Sequence, residues 1–113
     1  MLPILDRLVR GSQPKSGGVL THVLALKWDV YTKAERDELL ALEDGLRSCG
    51  INNLVFDSVE TGARDLVFWF HTSNPKRAFK ELAKLPSIAE HTAKLHAAYA
   101  ERGKLRFTQL RSK

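Results

Sequence analysis

Lys27, Asp57, His71 and Arg106 are the residues whose types could do chemistry together. An imidazole or a carboxylate can act as a general base, and two cations beside it can hold an anion. They lie far apart in the chain, so only a fold that sets their segments side by side could assemble them. The same residue types are the ordinary polar lining of a solvent-facing sheet. No serine or cysteine stands in a spacing that would activate it as a nucleophile. A noncatalytic protein is the expectation, with an enzyme or small-molecule binder using a sheet-face pocket as one alternative.

The histidines do not form a ligand set. His91 and His96 are five apart and point to different sides of the helix predicted there, and His22 and His71 have no sequence companions. No metal site is expected. Gly17-Gly18 lacks both the phosphate-loop motif and a following helix, so no nucleotide cofactor is indicated, and no other cofactor is expected.

The elements that must position these residues are clearest between Ile51 and Leu85. Asn53 to Val59 and Leu66 to His71 alternate in hydrophobicity around the turn 60–65, the pattern of a β-hairpin. Val19 to Trp28 alternates as a first strand. Thr32-Lys33-Ala34-Glu35 has the form of a capping box and predicts a helix in which Leu39, Leu42, Leu46 and Cys49 make the apolar stripe and Gly50 ends the helix. Glu43 and Arg47 stand as an i,i+4 pair. Asn74-Pro75 predicts a second helix start, with Phe79 and Leu82 inward. Pro86 interrupts it, and Ser87-Ile88-Ala89-Glu90 predicts a further helix with Ile88, Thr92, Leu95 and Tyr99 on one stripe, ended by Gly103. Leu105 to Leu110 alternates as the last strand.

The order β-α-β-β-α(α)-β predicts an α+β, ferredoxin-like domain: a four-stranded antiparallel sheet with helices on one face. Residues 1–18 are expected to be an N-terminal arm and flexible connector, because Gly11 to Gly18 is rich in glycine, serine and proline. Residues 19–113 form the single domain.

Strand alternation then divides the sheet. Leu24, Leu26, Trp28, Leu54, Phe56, Leu66, Phe68, Phe70, Leu105 and Phe107 should meet the helices. Val23, Ala25, Lys27, Val55, Asp57, Val59, Val67, Trp69, His71, Arg106, Thr108 and Leu110 should face away. The second set is too apolar for a surface left to water. The expected function is therefore protein association through this open face, as a homo-oligomer or as an inhibitor or adaptor of another protein. Its interface residues would be Val55, Val67, Trp69, His71, Lys27 and Asp57, with Trp69 as the anchor. On that reading Trp69→Ala weakens association and spares the fold.

Charge supplies the other alternative. Of the +5 net charge, residues 1–101 contribute nothing, with thirteen Lys/Arg against thirteen Asp/Glu, so the excess is the tail containing Arg102, Lys104, Arg106, Arg111 and Lys113. A nucleic-acid binder would use Lys76, Arg77, Lys104 and Arg106 and would weaken steeply with salt. Against it, Arg64 to Phe70 departs from the RNA-recognition signature: Asp65 stands where glycine is wanted and Leu66 replaces the first aromatic. Cys49 is the sole cysteine, which excludes an internal disulfide and fits a reducing compartment. No apolar run is long enough for a signal core or a membrane span, so a cytoplasmic protein without membrane contact is expected.

Overall fold

The structure is a computed structural model and describes residues 20–111; the expected arm and connector, 1–18, lie outside the described residues. Five strands form one antiparallel open sheet: β1 (His22–Asp29), β2 (Leu54–Thr61), β3 (Asp65–Thr72), β4 (Leu95–Glu101) and β5 (Thr108–Arg111), in the spatial order β2-β3-β1-β4-β5. Between β1 and β2 run α1 (Lys33–Leu40) and α2 (Glu43–Arg47), and between β3 and β4 run α3 (Pro75–Ala83), α4 (Pro86–Ala89) and a 3-10 turn at Thr92–Lys94. Among the described residues no helix is long and apolar enough to cross a membrane.

The α+β class is as expected, but the sheet has five strands, not four. The additional strand comes from the segment expected to be helical. Leu95, Ala97 and Tyr99 do face the core, but as alternate residues of β4 paired along β1 from Trp28↔Leu95 to His22↔Glu101. A three-to-four spacing and a two-residue spacing both pass through Leu95 and Tyr99, so the apolar pattern alone fits either structure. Tertiary pairing decides between them. Without β4, the largely buried strand β1 would present a long unpaired edge, and small residues at 97, 98 and 100 let β4 lie beside it. The indole Nε1 of Trp28 donates to the His91 carbonyl at 2.7 Å, fixing the turn before this strand.

The first helix is also divided. α1 begins at the expected capping box: Glu35 N donates to Thr32 Oγ1 at 3.1 Å, and Glu35 Oε1 accepts from Thr32 N at 3.0 Å. The Tyr31 amide and then the Lys94 ammonium hold the Glu35 carboxyl below the usual range. At Ala41 and Leu42 the ladder tightens, with Leu42 N bonding Leu39 O at 3.0 Å, and α2 follows. Leu39 and Leu46 stay buried across the break, so the stripe is kept. Gly50 takes φ +71°, where a β-carbon would be strained. Thr32→Ala should remove one cap bond and lower stability by about 1 kcal/mol in urea denaturation.

Sheet and helices enclose a core of Leu24, Leu26, Trp28, Leu66, Phe68, Phe70, Leu82, Ile88 and Leu95, all at 2% exposure or less. Phe68 is central: its ring meets Trp28 at 5.8 Å and Phe56 at 5.9 Å. Phe56 receives the Arg47 guanidinium 4.5 Å above its ring, and Arg47 Nη2 also reaches Glu43 at 2.7 Å, the pair expected from sequence. The turn between β2 and β3 is held by Arg36, whose Nη1 and Nη2 donate to the carbonyls of Gly62 and Ala63 at 2.8 and 3.1 Å.

Two strands depart from simple alternation. The β2–β3 register skips from Phe56↔Phe70 to Ser58↔Trp69, so Asp57 is the extra residue of a bulge. Beyond it parity reverses, and Val59, expected on the open face, packs into the helix-side core. At the other edge Glu101 to Lys104 makes a turn, with Gly103 at φ +83°, and β5 starts only at Thr108. Leu105, expected in the core, is 67% exposed. Phe107 and Leu110 exchange their expected sides: Phe107 joins the open face and Leu110 the core.

Candidate functional site

Cross-strand register builds the open face as rows. Val55, His71, Val23 and Ala100 make the first; Ser58, Trp69, Ala25, Ala98 and Gln109 the second; Glu60, Val67, Lys27 and His96 the third; Asp65 and Asp29 the fourth. A separate apolar cluster, Val23, Ala25 and Trp69 with Val67 and Phe107, lies on this side, apart from the helix-side core. The sheet therefore has two apolar layers, as alternation implied.

Apart from Ser58, the second and third rows floor an open groove of about 550 Å³. Ala25, Val67, Trp69, Ala98 and Phe107 give it an apolar lining. Lys27, Glu60, Asp65 and His96 set its polar edge. Trp69 is only 6% exposed: it meets Phe107 edge-on at 6.1 Å, and its Nε1 donates to Glu60 Oε1 at 3.0 Å. It is a fixed part of the floor, not a projecting anchor. Among the described residues no serine or cysteine lines the groove.

The six expected interface residues fall into two groups. Lys27, Val67 and Trp69 line the groove. Val55, 41% exposed, and His71 belong to the first row, with Asp57 on the bulge beside them. Glu60, Asp65, Phe107, Ala98 and His96 line the groove but lie outside the interface set that alternation predicts. Glu60 was hidden by the bulge, Phe107 by the late start of β5, and Ala98 and His96 by the helical reading of their segment.

Nor does the possible catalytic quartet assemble. Asp57 Oδ1 and His71 Nε2 are 3.7 Å apart, but Lys27 is four residues along β1 from Val23, the partner of His71, or about 13 Å at strand spacing. Lys27 instead neighbours Asp65 at 4.0 Å, and His96 Nε2 lies 3.4 Å from Asp29. Of the nucleic-acid candidates, Lys76 and Arg77 lie on α3 in the helical layer. Lys104 and Arg106 lie in the segment that leads to Phe107 on the other side of the sheet. All four are exposed, and they do not converge on one groove. Among the described residues no group of three or more His, Cys, Asp or Glu side chains is placed to hold a metal.

His71 is the most perturbed base on this face. It is 3% exposed, its Nδ1 has no hydrogen-bond partner among the described residues, and burial pushes its imidazole below the ordinary value of 6.5. Asp57 opposes that shift and Arg102 adds to it. A base with a depressed folded pKa contributes fully above its unfolded value and loses that contribution as pH falls toward its folded value. Between about pH 7.5 and about pH 5.5 the native chain should therefore lose more urea stability than His71→Gln.

Compared with protein-family models, curated proteins and solved structures, the chain matches none.

Proposed function

We propose that the chain is a noncatalytic association domain that engages a protein through the open face of its sheet, either a second copy or a heterologous partner it adapts or inhibits. The observation that carries this reading is the second apolar layer with its groove, formed by Ala25, Val67, Trp69, Ala98 and Phe107. Apolar contact supplies affinity there, and the surrounding charges select what may approach. Trp69 preorganises the floor, while Val67 and Lys27 offer the reachable surface. The inner strand order β2-β3-β1-β4 supports reading the frame as ferredoxin-like with β5 added, a frame that hosts many functions and specifies none. The lone Cys49 supports a cytoplasmic setting.

The groove's volume also falls in the range of small-molecule sites, roughly 300–1,000 Å³, which favours a small apolar ligand as the second reading. Sedimentation velocity across a concentration series tests association. Where the native chain forms a dimer, Val67→Arg should return it to monomer and Arg77→Glu on α3 should not. A dimer insensitive to Val67→Arg but broken by Arg77→Glu would place the contact on the helices and reject the reading.

A further inference from the structure

We propose that the occupant of the groove is a short segment of a partner protein in which apolar side chains stand next to Lys or Arg. This rests on the association reading and specifies the partner's chemistry. The floor accepts apolar groups, and one end of the groove is acidic. Glu60 on β2 and Asp65 on β3 line that end, Asp29 on β1 stands beside it directly opposite Asp65, and Lys27 and His96 are the neighbouring bases. This acidic end is carried by a chain whose net charge is +5.

Asp29 and Asp65 are directly opposite in the β1–β3 ladder, and like charges so placed repel. Their side chains are 37% and 42% exposed, with His96 Nε2 3.4 Å from Asp29 and Lys27 Nζ 4.0 Å from Asp65. A cation arriving between them relieves that repulsion, whereas an anion adds to it. Lysine and arginine suit the place because their alkyl stems can lie along Val67 and Ala98 while the charged head reaches the carboxylates.

Three fluorescein-labelled pentapeptides test this: leucine at alternate positions, and lysine, glutamine or glutamate at the others, followed by anisotropy at low and high salt. The lysine peptide should bind about tenfold more tightly than the glutamate peptide, and salt should erode the difference. Asp29→Asn with Asp65→Asn should reduce the preference to about twofold while leaving leucine-dependent binding in place. Circular dichroism verifies that this variant is folded. Equal binding of all three peptides, abolished by Ala98→Arg, would overturn the charge assignment and leave the association reading standing. So would a lysine preference unchanged in the double variant. Binding of none, with self-association still broken by Val67→Arg, would overturn the proposal in favour of a second copy as occupant. Binding of none, with no self-association, would overturn both.

Discussion

Phe68→Ala is expected to lower the unfolding free energy by about 3–5 kcal/mol, a large part of the roughly 5–15 kcal/mol available to a domain of this size. Phe68 is fully buried at the centre of β3, opposite Leu26 on one side and Val59 on the other, and its ring contacts both Trp28 and Phe56. The cavity left by alanine cannot close easily because strands β1 and β2 are held at fixed spacing on either side. Urea denaturation followed by far-ultraviolet circular dichroism should show the midpoint falling sharply, with Phe68→Leu much milder. A shift of less than about 1 kcal/mol would contradict the assigned core.

Trp69→Ala should be nearly as damaging, by about 3 kcal/mol, although its side chain lies on the face away from the helices. Sequence alone suggested that this substitution would spare the fold. Burial changes that expectation: the indole packs against Phe107 and Val67 and bonds Glu60, so its loss removes the centre of the second apolar cluster. Trp69→Phe keeps most of that packing and loses the Nε1 bond, and should cost about 1 kcal/mol. The same urea experiment separates the two. If Trp69→Ala is neutral for stability yet weakens association, Trp69 is a projecting anchor after all.

Much of the frame is legible in the sequence because local signals agree with tertiary ones. The Thr32 capping box, the Asn74-Pro75 start and the paired runs of β2 and β3 each appear where expected. The failures share one cause: non-local pairing overrides a local pattern. Residues 95–101 carry helix-compatible spacing and three alanines, yet β1 needs a neighbour and takes them as a strand. The bulge at Asp57 has no turn residue to announce it, and one extra residue was enough to move Val59 inward and Glu60 outward. The candidate site suffered most, since His96, Ala98, Glu60 and Phe107 all depend on those two features and on where β5 begins. Lys27, Val67 and Trp69 remained legible because β1 and the centre of β3 alternate without interruption.

Two apolar layers on one sheet, the outer one serving as a docking groove, are tested most directly by titrating the isotope-labelled chain with the lysine-leucine pentapeptide and recording hydrogen–nitrogen correlation spectra. Saturable shifts should concentrate on Ala25, Lys27, Val67, Ala98, Phe107 and the indole of Trp69, with α1 and α3 unmoved. Shifts confined to the helices, or none at peptide excess, would contradict the account.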